Sequence, residues 1–389
     1  MELLNVGHFI VTYTGTSWLS AQLQKNERVS STVYSWTRVT EDDVTRGTQY
    51  RQLFPHLGYS MLARRAALGL ASAEYRIGRT TRRFSAALQR DGIQALHTHF
   101  GRAGYYALGA VQQTKLPLIT SFYGYDVSEY PTQYPIWRRH YQHLFAQAHT
   151  VLCLGRQMQQ NIIALGCPPE KTRIHHLGVD VAAIRFQPRR WEPGSPLRVL
   201  IAAAFRQRKG IPYALEALAA FRDAYPVEIT IIGDAPDHPD GRREKQIILD
   251  TLQRHRLQPI VRLLGNQPYP MLFAEAARHH LFMGPSITAD DGDMEGTPMV
   301  LADMAASGIP IIATTHSDIP EIVIHGQTGL LAAERDAEAL LQHLRWYATH
   351  TEAWDAMLHA GRQHIEAEFD RTRQNARLAD LYTQAAASA

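Results

Sequence analysis

Between Gly284 and Thr314 the chain reads GPSITADDGDMEGTPMVLADMAASGIPIIAT, and two of its carboxylates, Glu295 and Asp303, stand eight residues apart. The pattern predicts a strand ending at Gly284-Pro285-Ser286, an acidic loop over Ile287–Glu295 and a helix opened by Gly296-Thr297-Pro298. Proline suits a helix start, where its missing N–H would be unpaired anyway. A helix N-terminus behind a glycine offers free N–H groups and the positive end of a dipole, which together favour phosphate. Glu295 then lies just before that terminus, and Asp303 about one and a half turns inside the helix. An ionised carboxylate accepts two hydroxyl hydrogen bonds, so the pair suits a ligand with sugar hydroxyls at one end and a nucleotide ribose and phosphates at the other. The plainer alternative makes Glu295 a helix cap and pairs Asp303 with a cation.

These residues need a scaffold, and the chain alternates short apolar β-rich runs with longer helical patterns, as parallel sheets flanked by helices do. Candidate strands in the first half are His8–Tyr13, Val29–Trp36, Ile93–Phe100, Leu116–Phe122 and Thr150–Leu154. A second series follows at Arg198–Ala203, Glu228–Ile232, Val261–Leu264, Leu281–Gly284 and Pro310–Thr314. Between them PRRWEPGSP, Pro188–Pro196, lacks periodicity and reads as a linker. The expectation is an α/β protein of two doubly wound, Rossmann-like domains facing a cleft, with ligands at the carboxyl ends of strands. The domains expected are 1–187, a linker at 188–197, 198–368, and a last helix within 369–389 crossing back onto the first. No G-x-G-x-x-G follows a strand and no P-loop occurs, which disfavours a dinucleotide dehydrogenase and a P-loop NTPase.

At 389 residues with 45% hydrophobic and 20% charged content the chain has globular composition. Its two cysteines, Cys153 and Cys167, make no disulfide framework or metal knuckle. With no basic n-region before an apolar run, the expected compartment is the cytosol. The net charge of +3 hides an asymmetry: residues 1–190 carry 22 Lys+Arg against 11 Asp+Glu, and residues 191–389 carry 18 against 26. Arg64, Arg65, Arg76, Arg79, Arg82, Arg83 and Arg90 crowd the stretch 60–90 beside one acid, Glu74. Leu62, Ala66, Leu70 and Ala73 recur among them at helical spacing, so part of this stretch reads as a basic amphipathic helix. It is either a solvated face or a surface for anionic lipid or a phosphate-bearing acceptor. Nucleic acid is disfavoured, because no nucleic-acid module accompanies the charge.

The segment around Glu295 closely resembles the donor-site signature of the retaining GT-B glycosyltransferases of family 4, in which Glu-x7-Glu grips the donor sugar with its first carboxylate and the ribose with its second. The resemblance implies that Glu295 meets the sugar hydroxyls and that Asp303, one methylene shorter, meets the ribose. Gly296, Thr297, Pro298, Met299 and Val300 would face the sugar and phosphates. Arg206-Gln207-Arg208-Lys209-Gly210 resembles the family's basic pair, implying that Arg206 and Lys209 hold the donor diphosphate; Phe205 stands where glycine is common, and Arg208 could replace one partner. Taken alone, RQRKG could also be an exposed basic turn before a helix.

Further matches run across most of the chain. Ile174–Asp180, IHHLGVD, is similar to the family's V-x-x-N-G-V-D with Leu177 for Asn, and Gly233 in ITIIGD and Gly265 in RLLGNQP match turns near the base. His97-Thr98-His99 resembles the H-x-H at the end of a central strand, implying that His99 reaches the transferred sugar. SFYGYDV carries Tyr123 where the family has His and keeps Asp126. Gly15 falls where the family has a first-strand loop, a resemblance implying approach to the donor phosphates. Asp290-Asp291-Gly292-Asp293 contains an Asp-x-Asp, the metal-binding pattern of the other main glycosyltransferase fold. With Arg206 and Lys209 available for the diphosphate, no metal or cofactor is expected.

Residues and resemblance together imply a glycosyltransferase moving a hexosyl group, with retention, from a nucleoside-diphosphate sugar to a glycan or lipid-linked acceptor in surface polysaccharide assembly. It is expected to be cytoplasmic and peripheral on the inner membrane face. The alternatives are a sugar-nucleotide epimerase of the same fold and a catalytically silent sugar-nucleotide-binding protein.

Overall fold

The computed structural model describes residues 3–13, 19, 27–38, 48–53, 75 and 78–388. Gly15, the anchors Leu62, Ala66, Leu70 and Ala73, and Arg64, Arg65, Glu74 and Arg76 lie outside the described residues. The chain divides into two compact units, residues 1–178 with 371–389, and residues 179–370.

Among the described residues, the first unit holds one parallel sheet of seven strands. These are β1 (Leu4–Tyr13), β2 (Val29–Arg38), β3 (Gln49–Gln52), β4 (Ala95–His99), β5 (Leu118–Ser121), β6 (Thr150–Cys153) and β7 (Thr172–Ile174), in the order β3-β2-β1-β4-β5-β6-β7. The second unit holds β8 (Leu197–Ala202), β9 (Val227–Ile232), β10 (Val261–Leu263), β11 (Leu281–Gly284), β12 (Ile311–Thr314) and β13 (Leu330–Ala332), in the order β10-β9-β8-β11-β12-β13. In each sheet the winding reverses beside the first strand, between β1 and β4 and between β8 and β11. Open parallel sheets gather ligands at the carboxyl ends of strands beside such a reversal.

Parallel strands covered on both faces are apolar at nearly every position, and the second sheet illustrates why. Val199 and Ile201 enter one core while Leu200 between them enters the other; Leu281 and Met283 flank Phe282 in the same way. The period of two therefore sorts one continuous apolar run into two cores. In the first unit Val6, Ile119 and Leu152 pack with Leu378, Ala379 and Tyr382 of the last helix, Arg371–Ala387.

Two short edge strands were not expected, QYRQ at β3 and TRI at β7; their polar residues reflect edge positions rather than core. The linker expected at 188–197 is corrected. Pro188–Pro196 packs within the second unit, with Trp191 5% exposed in its core and the Arg189 side chain donating to Ala276 O at 3.1 Å. Proline and glycine there mark missing periodicity, not missing contacts. The chain instead passes between units at 178/179 and 370/371.

Gly233, directly after β9, has φ +127°, and a Cβ added there would lie 1.9 Å from Ala203 O. A side chain would be strained and would also push apart the ends of β8 and β9. Gly233→Ala is expected to lower stability by about 2 kcal/mol or more in urea denaturation; an unchanged midpoint would refute the close approach.

Candidate donor site and histidine cluster

Four loops converge where β8, β11, β12 and β13 end. After β8, Phe205 is buried in the core while Arg206–Gly210 turns into the helix Ile211–Arg222. Gly210 permits that turn, at φ +60° with an added Cβ 1.9 Å from Pro285 O. The turn places Lys209 Nζ 2.8 Å and Arg208 Nε 3.0 Å from Glu295 Oε1, and the Arg208 guanidinium also grips Asp293. Glu295 is 8% exposed. Burial pushes its carboxyl up, but Lys209 and Arg208 outweigh this and hold it below the usual range. Asp293 lies on the other side of that balance: burial, together with the charges of Glu295 and Asp291, raises it against the pull of Arg208.

Glu295 does not cap the following helix. Met299–Ser307 begins behind Pro298, and no side chain caps it. Its first N–H groups have no intrahelical acceptor, and the nearby Thr297 Oγ1 is buried without a hydrogen-bond partner among the described residues. Ala203, Lys209, Gly284, Ser286, Pro298 and Val300 line a pocket at this point. Asp303, inside the helix, pairs with no cation among the described residues. It is 4% exposed and accepts from Tyr269 OH at 2.8 Å. Burial lifts its carboxyl to about 6, with the Tyr269 hydroxyl opposing the shift.

The structure therefore brings together Lys209, Glu295 and the Gly296–Val300 segment. It does not put Arg206 with them: that side chain is exposed and has no hydrogen bond or ion pair to a described residue, and Arg208 stands in the paired position. Gly233 and Gly265 meet at the ends of their strands, through Gly233 N–H and Gly265 O at 2.8 Å. The acids of the Asp-x-Asp and the preceding Asp290 are already engaged by protein groups. Asp290 meets Gln207 and Arg335, Asp291 accepts from Asp293 N–H at 2.9 Å, and Asp293 meets Arg208.

Sequence reasoning missed His316 and Glu334. Glu295 N–H donates to His316 Nε2 at 3.0 Å, so that ring carries its proton on Nδ1 and donates it to Glu334 at 2.6 Å. The spacing of HSDIPE and AAERD carries no sign of this, because the two residues follow different strands.

In the first unit His99 ends β4 and lies beside His8 of β1 and His97, at the reversal point of that sheet. All three are buried, His97 and His99 fully. A chain of hydrogen bonds runs from Ser31 Oγ to His8 Nε2 (3.3 Å), from His8 Nδ1 to His99 Nε2 (3.2 Å), and from His99 Nδ1 to Tyr123 OH (2.6 Å). His97 bonds the hydroxyls of Tyr382 and Ser121 at 2.6 and 2.7 Å. Burial keeps these rings neutral, with His8 pushed down to about 3 and the other two well below their usual value. The ligand atoms of the three lie within 4.8 Å of one another, a spacing a metal ion could bridge. Every ring nitrogen nevertheless has a protein partner. His99 thus meets His8 and Tyr123, and the two residues that end the chain, Ser31 and Tyr123, are both half-buried. Asp126 is structural: it accepts Gly101 N–H and Tyr123 N–H, each at 2.9 Å.

The two arginines of the basic turn separate the ionic reading from a merely exposed one. Arg208→Met leaves Asp293 and part of the Glu295 charge uncompensated, and is expected to cost about 3 kcal/mol in chemical denaturation. Arg206→Met is expected to change stability by less than about 0.5 kcal/mol. Equal effects would refute the assignment of Arg208 to the buried pair.

Both units of the chain are similar to known proteins. Residues 196–350 match the family model described as glycosyl transferases group 1, and residues 39–178 match a glycosyl transferase 4-like domain. The chain is 32% identical over 292 residues to a protein of Salmonella typhimurium named as the colanic acid biosynthesis glycosyltransferase WcaL, covering 73% of this chain and 68% of that one. It is 32% identical over 294 residues to the amylovoran biosynthesis glycosyltransferase AmsK of Erwinia amylovora, again 73% and 68% of the two chains. Among solved structures, sucrose-phosphate synthase from Thermosynechococcus elongatus aligns with TM-score 0.77 at 17% identity, over 99% of this chain and 100% of that one, which speaks for the fold. The comparisons give no support to the epimerase or the silent binding protein. With one family model on each unit and relatives at this identity, the chain belongs to the group 1 glycosyltransferases and is a GT-B enzyme akin to those of exopolysaccharide biosynthesis.

Proposed function

We propose that this enzyme transfers a hexosyl group from a nucleoside-diphosphate sugar to a glycan or lipid-linked acceptor of a surface polysaccharide, with retention at the anomeric carbon. The observation that carries the reading is Glu295: a buried carboxylate beside Lys209 and Arg208, three residues before the N-cap Pro298 of a helix without a side-chain cap, at the carboxyl ends of the strands. In it Glu295 accepts hydrogen bonds from the donor sugar and Asp303 from the ribose. The phosphates face Lys209, Arg206 or Arg208, and the N–H groups of Thr297, Met299 and Val300. The bond from the anomeric carbon to the diphosphate oxygen breaks, and a bond to the acceptor oxygen forms. The acceptor proton passes to the leaving diphosphate, whose charge these cations and N–H groups stabilise. That arrangement asks for no metal. His99 supports the Tyr123 hydroxyl rather than meeting the ligand itself.

The relatives named for colanic acid and amylovoran support an exopolysaccharide setting. A place on the cytoplasmic membrane face rests on the exposed Arg79, Arg82 and Arg83 of the helix Arg79–Arg90. Among the described residues no helix is long and apolar enough to cross a membrane. Arg82→Glu with Arg83→Glu should weaken binding to anionic liposomes; unchanged binding removes this part of the reading.

A thermal-shift screen against UDP-, GDP- and ADP-sugars identifies the donor class, since a ligand that binds only the folded state raises Tm. With that donor, Glu295→Gln is expected to reduce turnover by about 100-fold without loss of fold, and near-normal turnover would sink the proposal. Asp303, its carboxyl lifted to about 6, accepts ribose hydroxyls best when ionised, so donor affinity should rise as pH passes 6. Tyr269→Phe removes the hydrogen bond that favours the ionised form and should move that midpoint to higher pH in calorimetric titration.

A further inference from the structure

Ser317, in the loop after β12, has φ +48°, a left-handed conformation that favours glycine. A serine held there points to a use for its hydroxyl, and that hydroxyl donates to Glu295 O at 2.9 Å. The preceding residue, His316, fully buried, accepts from Glu295 N–H at 3.0 Å. Two consecutive residues thus take both polar groups of the Glu295 main chain. His316 is itself fixed in one tautomer, because its Nδ1–H donates to Glu334 at 2.6 Å.

Glu334 extends the hold to the far end of the acidic loop. Its carboxylate accepts Thr288 N–H at 2.7 Å and the Thr288 hydroxyl at 3.2 Å, while Arg335 donates to Thr288 O at 2.6 Å and to Asp290 at 3.1 Å. A loop carrying Asp290, Asp291, Asp293 and Glu295 repels itself. It keeps one shape because the loops after β12 and β13 hold it at both ends.

We propose that Ser317, acting with His316, is a positioning residue for Glu295. It keeps the main chain of that residue in place when Arg208 and Lys209 turn from the carboxylate toward a donor phosphate. The strained backbone persists because glycine, which would relieve it, cannot supply the hydroxyl. This rests on the reading of Glu295 as the donor-sugar carboxylate.

Two substitutions in the full chain separate positioning from stability. Ser317→Gly removes the hydroxyl and relieves the backbone; Ser317→Ala removes the hydroxyl and leaves the strain. Both are expected to lose about tenfold in kcat, with donor KM within about twofold of the wild type. Tm should be higher for Ser317→Gly than for Ser317→Ala. A purely structural role predicts that turnover follows Tm. Wild-type kcat in Ser317→Gly, alongside an impaired Glu295→Gln, would overturn the proposal and leave the donor-sugar reading standing. Normal turnover in Glu295→Gln would remove that reading and the proposal together.

Discussion

The second unit is organised around one buried ionic group, in which Arg208 and Lys209 meet Glu295 and Arg208 also meets Asp293. Four charges so little exposed are stable only because each has an opposite neighbour; removing one leaves another stranded. The turn after β8 must therefore stay against the loop after β11. Gly210 allows this through its approach to Pro285 O, and Ile287 N–H donates to Arg208 O at 2.8 Å to close it. The parallel sheet supplies the rest. β8 and β11 are neighbours at the reversal point, so their carboxyl ends open side by side.

The first unit meets the same demand, polar groups at a reversal point, by a different route. Its histidines are neutral and linked through hydroxyls, so burial costs them a proton rather than an unpaired charge. Such a chain is directional. If Tyr123 donates to His99 Nδ1, then His99 must donate to His8, and His8 to Ser31. Reversing one bond reverses all of them. Within this chain the role of the Tyr123 hydroxyl, donor or acceptor, is therefore coupled to His8 and Ser31.

How much was legible in the sequence depended on whether the feature was local. The strand-loop-helix around Glu295 could be read because glycine, proline and the apolar period lie within one segment. The strands of both cores were legible as apolar runs, whereas β3 and β7 were not, since edge strands need no apolar face. Trp191 and Arg189 hid inside a Pro/Gly-rich stretch whose composition resembles a linker, although both are buried. The choice of Arg208 over Arg206 was open, because RQRKG alone does not say which guanidinium the turn carries inward. His316, Ser317 and Glu334 gave no signal at all. Their meaning arises only when β11, β12 and β13 lie side by side, and a positive φ at a serine cannot be seen in its letter.

Under the proposed reading of Glu295, the charge balance of the ionic group constrains how a donor would enter. Arg208, Lys209, Glu295 and Asp293 are two cations and two anions, already neutral as a set. A diphosphate brought against that set adds negative charge with no spare cation inside it. Either Glu295 gives up Lys209 to the phosphates and turns to sugar hydroxyls, or a cation must come from outside. Arg206 is suited to the second part: its side chain is exposed, bonded to no described residue, and only two and three positions from Arg208 and Lys209. The uncapped N–H groups beyond Pro298 add fixed positive potential without a counter-ion. Glu295 can then exchange ionic partners for hydroxyls without leaving its place, provided its main chain is held by something other than those cations. In the second unit that hold comes from His316 and Ser317.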